Sequence, residues 1–226
     1  MNTIFITGIG TDVGKTVASA IAAEALQADY WKPVQAGFDN GTDAEFVRSV
    51  ISNTNTVIHP ETYKLKLAAS PHIAAREENI EINLDKIFND HQSIINNQIS
   101  SVNRQLLSDN LIIEGAGGLL VPLNENEFVI DLIKKLNAKV ILVSRNYLGS
   151  INHSLLTAQV CKQNNIDVLG WIFNDHYMNY ENEIAEWTAY PKIASVPFST
   201  KVDKAFVSEQ ATSMKPKLNA LMNINN

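Results

Sequence analysis

The sequence predicts an α/β fold in which a mostly parallel central sheet carries helices on both faces. Short apolar runs, often β-branched, alternate along the chain with segments of helical periodicity. Several of the runs are nearly continuous, which is typical of strands buried on both faces. The length of 226 residues suits one domain, and no linker, repeat or charge run divides residues 1–226. We therefore expect a single domain over the whole chain.

Six runs are predicted as strands, and the segments between them supply the turns and helices. In chain order the strands are TIFIT (3–7), DYWKPVQ (29–35), NLIIE (110–114), AKVILVS (138–144), DVLGWIFN (167–174) and PKIASVPF (191–198). Helices are predicted where apolar residues recur every three or four positions, first from Val17 and later from Ile151. A long helix is predicted from Leu84 through Val102 to Leu106. Such alternation is expected for a parallel sheet covered on both sides.

Composition narrows the range of partners and the compartment. The net charge of −6 argues against a broad phosphate-binding surface, so we do not expect a nucleic-acid partner. No apolar stretch approaches the length of a membrane span, and no export signal is visible at the N-terminus. The single cysteine, Cys161, fits a reducing cytosol. These features favour a cytoplasmic protein that binds neither nucleic acid nor membranes.

A phosphate-binding loop is predicted between the first strand and the first helix. The segment TGIGTDVGKT (7–16) departs from G-x-x-x-x-G-K-[ST], because Ile9 stands at the first glycine position and Gly8 lies one residue too early. The extra residue lengthens the turn without moving the GKT tripeptide relative to its helix. Lys15 would reach the β- and γ-phosphates, and the hydroxyl of Thr16 would hold Mg²⁺. The loop therefore predicts a magnesium–nucleotide site.

Two acids are placed to complete a magnesium site, because Mg²⁺ prefers oxygen ligands. Glu114 ends a predicted strand and precedes GAGG (115–118), whose backbone amides could come close to a ligand. Asp43 follows the second strand, where it is either a ligand or the N-cap of the next helix. Lys32, toward the end of the second strand, is either a snorkelling surface lysine or a second cation beside the nucleotide. The residues alone leave both alternatives open.

Other chemistries find no support in the sequence. The five histidines have no zinc-ligand spacing and no cysteine pair nearby. There is no G-x-S-x-G elbow for a serine nucleophile. The N-K-x-D guanine-binding motif is absent, and in FNDH (173–176) the side chains of Asn174 and Asp175 could meet the edge of adenine instead. ATP is therefore the expected nucleotide.

Taken together, the motifs resemble those of the dethiobiotin synthetase family. The matching segments run in order along most of the chain: TDVGKT, YWKPVQAG, GTDAE, SPHIAA (70–75), IIEGAGGLLVPL (112–123), LGSINHSLLTAQV (148–160) and GWIFND (170–175). The resemblance implies an ATP-dependent ligase that joins 7,8-diaminononanoate and CO₂ into dethiobiotin and releases ADP and phosphate. It implies a carbamate and a carbamic-phosphoric anhydride as intermediates, and a homodimer with substrate near the interface. The loop of this family has five residues between its two glycines, as here.

The resemblance also implies a role for each matched position. Lys15 and Lys32 would be catalytic, and Thr16, Asp43 and Glu114 would hold Mg²⁺. The nucleotide-binding set would be Asp12, Val13, Gly14, Lys15, Thr16, Val17, Asp43, Glu114, Gly115, Ala116, Gly117, Asn174, Asp175, Val196, Pro197 and Phe198. The substrate-binding set would be Ala36, Ser70, Pro71, His72, Gly117, Gly118, Leu148, Gly149 and Asn152.

The chain departs from the pattern of this family at two places. Ile9 and Gly10 stand where the family usually has Thr-Asp, so we expect altered packing of the loop with ATP binding retained. Ala36 stands where the family generally offers a serine hydroxyl to substrate. The lost hydrogen bond is worth about 0.5–1.5 kcal/mol, and Gln35 or a backbone amide could compensate.

Two other classes share a related fold. Partitioning and septum-placement ATPases, which are non-enzymatic switches, carry a signature lysine four residues before the last glycine of the loop, where this chain has Gly10. A cobyrinate-type amidating synthase would need a glutaminase domain, and the chain is too short to contain one. We therefore favour the ligase.

Overall fold

The structure is a computed structural model that describes residues 1–100 and 109–223. Its strands are β1 Asn2–Gly8, β2 Asp29–Trp31, β3 Val34–Ala36, β4 Ile58–His59, β5 Tyr63–Leu65, β6 Asn110–Gly118, β7 Lys139–Arg145, β8 Val168–Asn174 and β9 Lys192–Val196. Its helices are α1 Lys15–Leu26, α2 Asp43–Val50, α3 Pro71–Glu77, α4 Leu84–Ser100, α5 Val129–Lys135, α6 Ser150–Gln163, α7 Glu181–Thr188 and α8 Lys204–Asn223. Positions 102 and 106 of the predicted long helix lie outside the described residues.

Seven strands form one parallel sheet in the order β4-β2-β6-β1-β7-β8-β9. Strand β1 lies at the centre and pairs with β6 on one side and β7 on the other. The carboxyl ends of parallel strands meet at one edge of a sheet, where ligands bind in open α/β folds. The segments that follow β1, β2 and β6 are therefore brought to the same edge.

Helices cover both faces of the sheet, which confirms the predicted layer architecture. On one face, α1, α2 and α8 bury apolar side chains such as Ile21, Val47 and Leu218 against the sheet. On the other face, α4, α5 and α7 do the same with side chains such as Ile87, and α6 buries Ala158. The strands between these layers are nearly continuous apolar runs because both of their faces are covered. No described helix is long and apolar enough to cross a membrane.

The prediction of one strand over residues 29–35 is wrong. Strand β2 ends at Trp31, and Val34 begins β3, which pairs with β5 in a separate two-stranded sheet. Pro33 lies at the break, and a proline has no N–H to continue the pairing. Its carbonyl instead accepts a hydrogen bond from the amide of Tyr63 at 2.9 Å. Lys32 therefore lies at a junction between two sheets.

Two predicted strand ends also need correction. Strand β6 does not stop at Glu114 but continues to Gly118, which pairs with Gly8 at the end of β1 after a shift in register beyond the pair Ile6–Glu114. The last strand ends at Val196, two residues earlier than predicted, because Pro197 cannot donate to a ladder. Glu114 is therefore a residue within a strand, and the glycines after it continue β6 next to the phosphate loop.

Candidate active site

The loop between β1 and α1 is held by its neighbours on both sides. The amide of Ile9 donates to the carbonyl of Val143 in β7 at 3.0 Å, so the additional loop residue continues the edge of the sheet. At the other end, Gly14 has φ +87°, and an added Cβ would lie 1.5 Å from Nδ2 of Asn174. Only glycine fits there, because the backbone is left-handed and the space is filled.

The loop side chains differ sharply in exposure. Asp12 is exposed with φ 55°, Val13 is buried in the core, and Val17 is half-buried in the first turn of α1. Lys15 is only 7% exposed, and its Nζ donates to the carbonyl of Gly10 at 2.8 Å. Burial lowers the pKa of Lys15, and the negative charge of Glu114 opposes that shift only in part. Lys15 is therefore a buried ammonium that points back into the loop.

The three predicted magnesium ligands and Lys32 form one cluster. The hydroxyl of Thr16 lies 2.8 Å from Oδ1 of Asp43 and 2.8 Å from Oε1 of Glu114. Nζ of Lys32 donates to Oδ2 of Asp43 and, at 3.1 Å, to Oε1 of Glu114. The elements involved are the first turn of α1, the junction after β2, the start of α2 and the middle of β6.

Both alternative interpretations for this region are wrong. Lys32 is 7% exposed, so it is not a snorkelling surface residue. The N-cap of α2 is Thr42, whose side chain forms a capping box with Glu45, and Asp43 is the first helical residue. Its side chain is thereby free to turn toward Thr16 and Lys32.

Charge pairing outweighs burial within the cluster. Burial alone would lower the pKa of Lys32, but the carboxylates of Glu114 and Asp43 raise it above its usual value. Burial would raise the pKa of Asp43, but Lys32 and the hydrogen bonds from Lys32 and Thr16 hold it below its usual value. The lysine is therefore charged and Asp43 ionised at neutral pH.

Tyr30 is a member of this site that the sequence analysis missed. Its hydroxyl donates to Oε2 of Glu114 at 2.8 Å, and its side chain is fully buried. Burial, reinforced by the charges of Glu114 and Asp43, raises the pKa of Tyr30 well above its usual value, so the phenol stays a hydrogen-bond donor. The sequence offered one signal, since Tyr30 lies two residues before Lys32 and both side chains face the same side of an extended chain.

The donor set of the cluster fits Mg²⁺. Within residues 1–100 and 109–223, no three or more His, Cys, Asp or Glu side chains gather as a metal site. The available ligands are therefore the Thr16 hydroxyl and the two carboxylates of Asp43 and Glu114. Mg²⁺ usually takes one or two carboxylates and keeps several waters, whereas zinc sites use nitrogen and sulfur ligands.

The glycines of β6 lie between the cluster and the loop. Gly115 packs against Phe5, where a Cβ would approach the ring to 2.6 Å. Ala116 is half-buried, and Gly117 has φ +71° and its carbonyl 3.5 Å from the hydroxyl of Thr7. A Cβ on Gly118 would lie 3.1 Å from the carbonyl of Gly8. The backbone of this segment therefore runs directly beside the phosphate loop.

The residues predicted to hold adenine lie at the ends of β8 and β9. Nδ2 of Asn174 donates to the carbonyl of Val13 at 2.8 Å, and Oδ2 of Asp175 accepts from Nε of Arg145 at 2.6 Å. Val196 is buried, Pro197 is exposed, and Phe198 is 68% exposed. A cavity of about 460 Å³ opens beside them, lined by Asp175, His176, Asn179, Glu181, Asn182, Lys192, Ser195, Val196 and Pro197.

The predicted substrate residues fall into three places. Ala36 is half-buried at the end of β3, after Gln35, whose amide binds the backbone of Asp43 and Gly37. Ser70, Pro71 and His72 begin α3, and the Ser70 hydroxyl lies 3.1 Å from Nδ1 of His72.

Leu148, Gly149 and Asn152 surround the start of α6, where Gly149 has φ +104°. The described hydrogen bonds do not join the segments 70–72 and 148–152 to the phosphate loop. Gly117 and Gly118 are the substrate-set residues that lie beside it.

The fold and this site define a nucleotide-binding α/β protein with a phosphate loop. Solved structures with the same fold include a chain of the MinC:MinD cell division protein complex of Aquifex aeolicus. Its TM-score is 0.60 at 12% identity, with coverage of 99% of this chain and 96% of that chain. The cell division ATPase MinD of Pyrococcus furiosus gives a TM-score of 0.58 at 13% identity, with full coverage of both chains, 100% each. At these identities the likeness shows the fold alone.

Sequence relatives are more specific. A family model described as an AAA domain matches residues 2–205. The ATP-dependent dethiobiotin synthetase of Cytophaga hutchinsonii is 48% identical over 216 residues, covering 95% of this chain and 97% of its own. That of Christiangramia forsetii is 41% identical over 215 residues, covering 95% and 96%. The chain belongs to the ATP-dependent dethiobiotin synthetase family, a family of ligases, and the partitioning alternative is not favoured.

Proposed function

We propose that the chain catalyses the ATP-dependent carboxylation and ring closure of 7,8-diaminononanoate with CO₂, giving dethiobiotin, ADP and phosphate. The observation that carries the proposal is the cluster of Thr16, Lys32, Asp43 and Glu114 beside the phosphate loop, in a chain 48% identical to a dethiobiotin synthetase over almost its whole length. Cys161, the single cysteine of the sequence, is a buried free thiol, which is consistent with a protein of the reducing cytoplasm.

ATP would bind with its phosphates in the loop and its adenine at the ends of β8 and β9. Lys15 would exchange the carbonyl of Gly10 for phosphate oxygens, which gives the buried ammonium a stronger partner. The backbone amides at the N-terminus of α1 add a favourable dipole. The exposed ring of Phe198 and the amide of Asn174 supply an apolar face and a hydrogen-bonding edge for the base.

Thr16, Asp43 and Glu114 would hold Mg²⁺, because their oxygens already converge. When bound, the ion would neutralise charge on the β- and γ-phosphates. Lys32 would then be free to pair with phosphate or carbamate oxygens in place of the two carboxylates. The role of the protein is chiefly positioning and charge stabilisation.

The reaction would proceed in three steps without a protein nucleophile. One amine of the substrate attacks CO₂, forms a C–N bond and loses a proton to give a carbamate. A carbamate oxygen attacks the γ-phosphorus, and the bond from this phosphorus to the bridging oxygen breaks to release ADP. The second amine attacks the carbamoyl carbon of the mixed anhydride, loses a proton and expels phosphate, which closes the urea ring. Lys32 would stabilise the negative charge on the carbamate and on the transferring phosphoryl group.

The substrate would lie along Ala36, Ser70, His72, Gly118 and the start of α6, near a homodimer interface. Exposed apolar side chains support that interface, since Leu148 is 84% and Leu120 58% exposed. Leu148 belongs to the predicted substrate set and Leu120 lies two residues after Gly118 of that set, so a partner subunit at this site would bury apolar surface, which favours association. Light scattering would show a dimer for the wild type and a smaller species for Leu148→Asp; a monomeric wild type would refute the dimer.

Mass spectrometry of the products tests the proposed reaction. The protein is mixed with 7,8-diaminononanoate, bicarbonate and MgATP, and dethiobiotin is expected in a one-to-one ratio with ADP. ADP without dethiobiotin would keep the nucleotide site but point to another acceptor, and Ala36→Ser would then be examined first. If folded protein released neither product, the ligase assignment for this chain would be wrong.

A further inference from the structure

The hydroxyl of Tyr30 reaches Glu114 through the register of two neighbouring strands. Strands β2 and β6 are parallel, and Tyr30 pairs with Ile112, two residues before Glu114. Alternate residues of a strand point to the same face, so Ile112 and Glu114 share the face on which Tyr30 is buried. Two residues of strand span roughly 6.6 Å, a distance that the long side chains of Tyr30 and Glu114 can bridge together. The phenol therefore ends 2.8 Å from Oε2 of Glu114.

This contact gives the two oxygens of Glu114 different partners. Oε2 accepts from Tyr30, while Oε1 faces the hydroxyl of Thr16 at 2.8 Å and Nζ of Lys32 at 3.1 Å. Glu114 is only 1% exposed, so water does not replace the phenol as a partner for Oε2. With Oε2 held, rotation of the carboxylate is restricted and Oε1 is the oxygen presented to the site.

We propose that Tyr30 is a positioning residue for the magnesium site, which fixes Glu114 so that it offers Oε1 alone as a ligand. The proposal rests on the proposed function, in which Glu114 binds Mg²⁺. Hydrogen-bond partners behind metal ligands typically contribute 10–100-fold to metal affinity or activity. Tyr30 would act in the same way without touching the ion, nucleotide or substrate.

Tyr30→Phe tests this role because it keeps the buried ring and removes only the hydroxyl. Calorimetry would measure the Kd of the non-hydrolysable analogue AMPPNP in EDTA and in saturating Mg²⁺. The ratio of the two constants reports how strongly Mg²⁺ supports nucleotide binding. We expect Tyr30→Phe to reduce that ratio about 10-fold or more while the Kd in EDTA stays within about twofold of wild type.

Two comparison variants make the outcomes distinct. Tyr63→Phe is the matched control, because it removes another mostly buried tyrosine hydroxyl, one that accepts from the amide of Asn83 away from the site. Glu114→Gln should reduce the Mg²⁺ ratio at least as much as Tyr30→Phe. In a Glu114→Gln background, removing the Tyr30 hydroxyl should change the ratio little further. That double variant also carries no buried charge without a partner at position 114, and a large further fall in its ratio would show that the hydroxyl acts on something other than Glu114, which would overturn the proposal.

The possible results distinguish failure of the positioning role of Tyr30 from failure of the proposed magnesium site. If Glu114→Gln weakens the Mg²⁺ effect and Tyr30→Phe does not, the positioning role is refuted and the metal site stands. If neither variant changes the ratio, Glu114 is not a ligand and the magnesium site is wrong. A lower unfolding temperature for Tyr30→Phe with an unchanged ratio would show a purely structural tyrosine, which also overturns the proposal.

Discussion

Replacing Lys32 by methionine should destabilise the nucleotide-free protein and make its stability depend on Mg²⁺. Lys32 is 7% exposed and contacts both Asp43 and Glu114, of which Glu114 is 1% exposed. Methionine keeps much of the apolar stem, so the main loss is the charge. The variant would leave Asp43 and Glu114 without the ammonium that contacts both of them.

The structure sets the size of the expected effect. Removing one partner of a buried ion pair costs about 3–5 kcal/mol, because the remaining charge stays buried and unpaired. The side chain of Asp43 is 27% exposed, so solvent screens part of its charge and the lower end of that range applies. In a protein of this size, about 3 kcal/mol corresponds to a fall of roughly 6–12 °C in unfolding temperature.

Magnesium should reverse much of this loss in the variant. Without Lys32, Asp43 and Glu114 are an open pair of oxygen ligands, and any ion that binds only the folded state stabilises it. In the wild type, Lys32 already contacts both carboxylates, so Mg²⁺ without nucleotide should have a smaller effect. The variant should also turn over about 10²–10³-fold more slowly, as expected for loss of one transition-state donor.

Thermal unfolding near neutral pH, in EDTA and in millimolar Mg²⁺, measures both effects. Lys134→Met serves as a control, because Lys134 is an exposed lysine of α5 and surface changes usually stay within about 0.5 kcal/mol. If Lys32→Met unfolded at the wild-type temperature in EDTA, Lys32 would not be the cation that balances these carboxylates. Equal stabilisation of the wild type and Lys32→Met by Mg²⁺ would contradict the expectation that the ion replaces the missing lysine.

Three further predictions follow from single contacts. Gly14→Ala should destabilise the protein by at least about 1–2 kcal/mol in urea unfolding, because φ is +87° and a Cβ would lie 1.5 Å from the side chain of Asn174. In the control Gly10→Ala, a Cβ would have no atom within 4 Å, and the change should stay within about 0.5 kcal/mol. Burial raises the pKa of Cys161 to about 12, so a thiol reagent at neutral pH should leave it unmodified until the protein is unfolded; rapid labelling of folded protein would contradict this. The pKa of Asp43 lies below its ordinary value, so its stabilising contribution is present above about pH 4 and is lost as the pH falls through the lower value in the folded state. Asp43→Asn should reduce the fall in unfolding temperature at acid pH, and an unchanged pH profile would argue against the Lys32–Asp43 ion pair.

The parts of the site that the sequence predicted are those with strong local signals. Lys15 and Thr16 follow a glycine at the start of a helix, and that motif has one structural context. Glu114 interrupts an apolar run, which predicts a functional residue wherever the strand ends. The strand–helix alternation predicted the layers for the same reason, since it depends only on periodicity.

What the sequence left open depends on which strands become neighbours. Lys32 is buried because β2 lies beside β6, and nothing in YWKPV shows that pairing. Pro33 is a local signal for the break between β2 and β3, because a proline has no N–H to continue the pairing. Tyr30 was missed because its role needs the register with β6. Strand β4 is two residues long and carries no periodic signal.

The charged side chains of the site bear on how ATP and a carbamate would bind in the proposed reaction. Two lysines, Lys15 and Lys32, share the largely buried site with two acids, Asp43 and Glu114. An ATP molecule and a carbamate both bring negative charge to the site. The two lysines can pair with these anions only if the carboxylates of Asp43 and Glu114 have another partner. A divalent cation on Asp43 and Glu114 would release Lys32, and the backbone amides of the loop and of α1 would supply the remaining positive potential. Nucleotide and metal are therefore expected to bind together. The metal takes the carboxylates away from Lys32, and the nucleotide gives the released lysine a new negatively charged partner.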